Sequence, residues 1–154
     1  MPFDSQFKHD ADASAGLLFI RAYNQWHTRI KKALRQLGLT HPQFVVLTTL
    51  HYLSQHDDNV SQVKLAKMAE MDVMSVSQIV RGIEARGLIK RVSSATDSRA
   101  NALILLPRGL ALSAKAVPVV EQIDADFFGA LGTAEAPFCR ALKALCAPAP
   151  RGND

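Results

Sequence analysis

Two strand-like runs, LIKRVS (Leu88 to Ser93) and ALILL (Ala102 to Leu106), are separated by more residues than a turn requires. A hairpin connection usually takes about 2–5 residues. Here eight small or charged residues, Ser94 to Asn101, are inserted, with Asp97 and Arg99 near the tip. Immediately upstream the apolar period is helical. Val76, Ile79, Val80 and Ile83 follow i, i+3, i+4, i+7, so they share the buried face of one helix. Ser75 is placed to cap that helix and Gly87 to end it. A shorter helix, VKLAKMAEM, follows Ser61 and turns Leu65, Ala66 and Ala69 inward. MDVM separates the two. The segment therefore reads as a helix-turn-helix followed by a hairpin with a long loop.

The flanks are helical. Residues 14–37 carry Leu17, Leu18, Tyr23, Trp26 or His27, Ile30, Leu34 and Leu37 at helical spacing, and Gly38 stops the run. LTHPQF opens a second helix. Thr40 and Gln43 have capping-box spacing, and Pro42 sits in the first turn, where no amide bond is lost. Phe44, Leu47 and Leu50, with His51, form its inner stripe. Ser54 to Asn59 is a polar loop, and Val60 joins a small sheet for one residue. Leu103 and Leu105 face one side of their strand, Ile104 and Leu106 the other, which predicts a strand covered on both faces. Pro107 starts a helix to about Ala130, and Pro118 within it predicts a kink or break. Thr133 caps a last helix to about Cys146. At 154 residues the chain suits one domain with a real core. The expected class is mainly α with a small β-hairpin. The expected divisions are a flexible N-terminus (1–13), core helices (14–59), the helix-turn-helix and hairpin (60–106), further helices (107–146) and a disordered tail (147–154).

The net charge is +4. Residues 60–109 hold eight bases against four acids, and the rest of the chain has ten of each, so all the excess lies in one segment. Such an excess is the footprint of a polyanion-binding surface. At about 100° per residue, the face opposite the buried stripe carries Met74, Gln78, Arg81 and Ala85, flanked by Ser75 and Ser77. Arg can bond guanine bidentately, Gln can bond adenine, and Ser permits close approach to phosphate or base. Lys90 and Arg91 on the first strand would meet phosphates. A long loop can carry Arg99 into a minor groove, with Asp97 bracing it or another base. A solvated polar face is the alternative reading.

Other classes lack support. No apolar run reaches the roughly 18–20 residues needed to span a membrane. The polar, acidic start is neither signal nor transit peptide. Cys139 and Cys146, i and i+7 on one helix, are too far apart to bridge each other and read as buried small apolar residues in a reducing cytoplasm. No nucleophile motif, phosphate loop or carboxylate constellation points to an enzyme, and no cofactor is called for. The five histidines offer no i, i+4 pair, and His51 and His56 are five apart, so no metal site is expected.

MSVSQIVRGIEARGLIKRVSSATDSRANALILLPRG resembles the winged helix of the MarR family of bacterial transcription regulators. The matching pieces are the IEARGLIKR exit, the DSRA wing motif and LILLPRG, with LTHPQFVVL similar to the family's second helix. The resemblance spans about residues 14–146. It implies a winged helix-turn-helix domain with a helical dimerisation layer built from the first and the last two helices. It also implies a cytoplasmic, nucleoid-associated homodimer on a pseudo-palindromic operator in double-stranded DNA, acting as a repressor. Asp97 and Arg99 carry over as the wing pair, and Ser75, Ser77, Gln78 and Arg81 as recognition-helix contacts. Leu106 departs from the capping Thr usual before the proline. Many family members release DNA on binding a small aromatic ligand; the candidates here are Trp26, His27, His41, Phe44 and His51, which singly also read as core or surface residues. A regulator without a ligand is the alternative, as is a cysteine-based redox regulator. The redox branch carries its cysteine near the N-terminus, where this chain has none.

Overall fold

A computed structural model describes residues 4–7, 9–93 and 101–147. The wing tip with Asp97 and Arg99, and the tail from residue 148, lie outside them. Six helices and one hairpin are ordered along the described chain: α1 (Ala15–Gln36), α2 (His41–Leu53), α3 (Gln62–Met68), α4 (Val73–Ala85), β1 (Ile89–Ser93), β2 (Asn101–Leu105), α5 (Pro107–Phe128) and α6 (Glu135–Cys146). The expected mainly helical class with a small hairpin is observed.

Local chemistry sets most of these boundaries. The Ser14 hydroxyl accepts from the Leu17 amide to start α1. Leu37 closes α1, Gly38 takes φ +67°, and the Leu39 amide reaches back to the Leu34 carbonyl at 3.0 Å. α2 begins with a complete capping box: the Gln43 amide donates to Thr40 Oγ1 at 3.3 Å, and the Thr40 amide donates to Gln43 Oε1 at 3.1 Å. Before α5, Pro107 follows Leu106, which makes no side-chain cap. A short 3-10 turn, Ala11–Ala13, precedes α1, and Asp12 pairs with Arg21 at 2.6 Å, so this end of the N-terminal segment is tied to the helix.

Several sequence expectations are corrected. The cap of α4 is Asp72, whose carboxylate accepts from the Ser75 amide at 2.8 Å, so the helix begins at Val73 and Ser75 lies within it. Glu70, at φ 51°, bends the chain early enough to allow this. α5 continues through Pro118 without the break that was one of the two expected outcomes. Pro118 and Ala114, whose carbonyl loses its amide partner, are both exposed, so water can take the missing bond. Thr133 belongs to a 3-10 turn, Gly129–Ala134, and α6 starts after Ala134 without a side-chain cap. The hairpin is not covered on both faces: Leu103 is 2% exposed, whereas Ile104 is 36% exposed.

The strands pair antiparallel, with Lys90 opposite Ile104 and Arg91 opposite Leu103. The expected excursion from the preceding loop is present. The Leu103 amide donates to the Val60 carbonyl at 2.8 Å, and Ser61 bridges to Ala102. Two apolar cores result. One joins α2, α3, α4 and the hairpin through Leu47, Leu50, Leu65, Val76, Val80 and Ile83. The other joins α1, α5 and the start of α2 through Ile30, Leu34, Leu39, Ala116 and Val120. Leu112 of α5 packs against both. The first turn of α5 lies on the hairpin: the Leu106 amide donates to the Leu88 carbonyl at 2.9 Å, and Gly109 sits directly against that carbonyl. α6 contributes no buried residue, and both cysteines are exposed, contrary to the expectation that they are buried.

Candidate nucleic-acid interface

Helix α4 presents two unlike faces. Val76, Val80 and Ile83 are fully buried, which fixes the rotation of the helix. That rotation leaves Gln78 and Arg81 exposed, with Ser75 and Ser77 half-buried at the edges. The Arg81 Nε–H leans on the Ser77 carbonyl at 3.4 Å and leaves the guanidinium tip open. Hydrogen bonds from Ser75, its side chain foremost, hold the Asp72 carboxyl below the usual carboxylate range, so the helix cap stays ionised. A groove beside α4 is lined by Thr40, Pro42 and Gln43 of α2 together with Ser75, Gln78 and Gly82.

The first turn of α4 is apolar and open. Met74 is 69% exposed and Val73 46%. Helical spacing places Met74 on the outward face, and its polar neighbours mask its apolar character in the sequence.

The hairpin bases differ from one another. Lys90 is exposed. Arg91 is half-buried and engaged: its Nη1 donates to Glu84 Oε2 at 2.6 Å, and its amide donates to Glu84 Oε1 at 3.1 Å. Glu84 thus clamps β1 to the end of α4. Arg86, at the α4 C-terminus, donates from Nη1 to Gln43 Oε1 at 3.3 Å. Asp97 and Arg99 lie outside the described residues.

The MarR family model matches residues 39–100, the stretch that holds α2, α3, this helix and β1. Over 84% of its length the chain is 38% identical to the uncharacterised HTH-type transcriptional regulator YdcH of Bacillus subtilis, covering 88% of that protein. This chain belongs to the MarR family. It is a MarR-family transcriptional regulator with a winged helix-turn-helix fold. Two solved structures extend the likeness. BpsR of Bordetella bronchiseptica, whose DNA binding is regulated by 6-hydroxynicotinic acid, is 28% identical with a TM-score of 0.78, across 96% of this chain and 100% of that one. The MarR family protein Rv2887 of Mycobacterium tuberculosis, in its salicylic acid complex, is 32% identical with a TM-score of 0.63, across 88% of this chain and 98% of that one. Rv2887 has also been solved with DNA.

In this MarR-family chain four of the five ligand candidates meet. The His27 and His41 ring centroids are 5.0 Å apart, Trp26 lies 5.5 Å from His41 and 6.3 Å from His27, and Phe44 stacks 6.4 Å from His41. The Trp26 Nε1–H donates to Asp124 Oδ1 of α5 at 2.7 Å. His51 does not join them. Its Nδ1 lies 3.0 Å from the hydroxyl of Ser113, a buried residue of α5. A recess of about 260 Å³ opens beside the cluster, lined by His27, Lys31, Arg35, Leu39, Thr40, His41 and Pro42. A second cavity, of about 160 Å³, is apolar and lies between α1, α5 and α6. Among the described residues no group of three or more His, Cys, Asp or Glu is arranged to hold a metal ion, and no helix is long and apolar enough to cross a membrane.

Burial, then the neighbouring His27, push the His41 pKa below 6.5, with Asp124 opposing them. A depressed imidazole pKa means that the unfolded chain binds more protons than the folded one. Stability should therefore be full above about pH 6.5 and fall as pH drops through the folded His41 pKa. Thermal melts of His41→Gln should lose part of that acid-side slope. An unchanged slope in the variant would assign it to other groups.

Proposed function

We propose that this regulator is a homodimer that binds double-stranded DNA sequence-specifically, represses from a pseudo-palindromic operator and is released by a small aromatic ligand. The observation that carries the reading is the outward face of α4. Gln78 and Arg81 stand exposed on a helix whose opposite side is locked into the core, within the segment that holds all of the net positive charge. Arg81 and Gln78 read base edges, Ser75 and Ser77 approach the backbone, and Lys90 meets phosphate. Arg99, with Asp97, supplies the minor-groove contact. Arg91 serves first as the clamp on Glu84 and reaches phosphate only with its remaining donors. Residues 60–106 thus form the DNA-binding unit, and 14–59 and 107–146 the dimerisation layer. Exposed Leu18, Phe19 and Ile20 on α1 and the unburied α6 support that layer. The ligand reading is supported by the aromatic and imidazole cluster and by the ligands of BpsR and Rv2887. Regulation of transcription places the protein in the cytoplasm.

Selection of bound duplexes from a random pool tests the reading directly. A symmetric pair of half-sites should emerge, and affinity for it should fall steeply with salt as Lys and Arg displace counterions. Enrichment of no common sequence, or an affinity flat in salt, would count against sequence-specific DNA binding.

Met74 offers a chemically separate test. An exposed thioether at the start of the recognition helix suits the C5-methyl of thymine. Substituting uracil for each thymine of the selected half-site should weaken wild-type binding at one position, by about 1 kcal/mol. Met74→Ala should be indifferent to that change. Equal losses in both proteins would mean that Met74 reads no methyl group.

A further inference from the structure

Outside residues 60–109 the charges of the chain cancel, but they are not spread evenly. Between Ala13 and His56 there is no Asp or Glu, and five bases stand there: Arg21, Arg29, Lys31, Lys32 and Arg35. Two of them are occupied. Arg21 pairs with Asp12, and the Arg29 guanidinium lies 5.1 Å over the Phe127 ring. Lys31, Lys32 and Arg35 are exposed and have no ion-pair partner among the described residues. Lys31 and Arg35, four apart on one face of α1, line a single recess with Thr40 and Pro42. Like charges at that spacing repel each other. The helix dipole accounts for Arg35 in the last turn, but not for Lys31 one turn earlier.

This recess adjoins the face that carries the recognition residues. Thr40 and Pro42 also line the groove beside α4 that holds Ser75 and Gln78. A third cation stands at the same corner. Arg86, exposed at the end of α4, donates from Nη1 to Gln43 Oε1 at 3.3 Å, and its Nη2 lies 3.5 Å from where a Cβ on Gly38 would stand. Bases from two helices therefore border one edge of the surface on which Gln78 is exposed, and no carboxylate lines either hollow.

We infer that the α1–α2 corner is a second phosphate-contact surface, on which Lys31 and Arg35 engage the duplex backbone beyond the base pairs read by α4. The inference rests on the DNA-binding reading and extends that surface outside residues 60–106, into α1. A major groove that receives a helix is bordered by a phosphate strand on each side. The strand on the α2 side passes Thr40 and Pro42 and reaches the recess. There Lys31 and Arg35 neutralise phosphates without touching a base edge, so they add affinity and fix register but carry no sequence preference. Arg86 stands between them and the recognition helix.

Binding of the full chain to a selected operator and to random duplex, each measured across a range of salt, tests this surface. Lys31→Gln/Arg35→Gln should weaken both duplexes by the same factor, so the ratio between them stays at the parent's value. Its salt slope should fall by about 1.8, at about 0.9 for each cation removed, and its deficit should shrink about tenfold between about 50 and 200 mM salt. Hydroxyl-radical footprints should lose protection at the backbone outside the half-sites and keep it within them. Lys32→Gln removes an equal charge from the same helix without touching the recess, and should keep the parent's slope and footprint. Both variants change exposed side chains and should melt and self-associate like the parent. A parental slope and footprint in the double variant would overturn the inference and leave the DNA-binding reading standing. Loss of slope in Lys32→Gln equal to that per cation in the double variant would reduce the effect to net charge and overturn it too. Failure of the double variant to self-associate would assign the pair to a contact between copies instead. Binding by the parent that is absent or flat in salt would overturn the DNA-binding reading, and this inference with it.

Discussion

Gly109→Ala is expected to cost the fold about 3 kcal/mol or more, read as a lowered denaturation midpoint. A methyl group at this position overlaps the Leu88 carbonyl oxygen and lies 2.9 Å from its carbon and 3.2 Å from Leu105 Cδ2. The obstacle is backbone, which cannot swing aside as the end of a side chain can. Relief requires the first turn of α5 to lift from the hairpin, which breaks the Leu106 amide bond to the Leu88 carbonyl. Gly16 of α1 provides the control, because nothing lies within 4 Å of its missing side chain. Gly16→Ala should gain up to about 1 kcal/mol from helix propensity alone. A loss below about 1 kcal/mol in Gly109→Ala would show that the α5–hairpin contact yields easily, against the close approach described.

The second large effect is on DNA. The double variant Gln78→Ala/Arg81→Ala should lose about 2–6 kcal/mol of preference for a selected operator over random duplex, from two bidentate base contacts at about 1–3 kcal/mol each. Its residual binding should equal that of the parent on random DNA, less one cation. Lys90→Ala should instead weaken operator and random duplex alike and flatten the salt dependence. Both variants change exposed side chains, so neither should disturb melting. If the double variant lost equal affinity for both duplexes, Gln78 and Arg81 would be backbone contacts and sequence would be read elsewhere.

The parts of this chain that are legible in its sequence are those governed by neighbours within one or two turns. The spacing of Val76, Ile79, Val80 and Ile83 decides how α4 is rotated, and hence which side chains it exposes. Thr40 and Gln43 spell out their own reciprocal bonds. At the start of α4, Asp72 and Ser75 are both good caps, and the choice was made by the left-handed turn at Glu70, which no local propensity announces. Arg91 read as a free cation because Glu84 reaches it only once the strand folds back along the helix end. The meeting of His27 with His41 depends on the α1–α2 corner, and the absence of His51 from it on the length of α2. Pro118 is tolerated because its side of α5 faces solvent, and the exposure of the cysteines depends on what covers α6; neither is encoded in spacing. The wing pair, Asp97 and Arg99, is legible only as a motif and lies outside the described residues.

Leu112 packs against both apolar cores, and the helix that carries it also rests on the hairpin. Neither core can open while the other keeps its full lining. The two therefore form one cooperative unit, and amides in α1 and in α4 should share a common ceiling of hydrogen-exchange protection instead of melting as separate foldons. Through that shared leucine the free energy spent loosening one end is felt by the other.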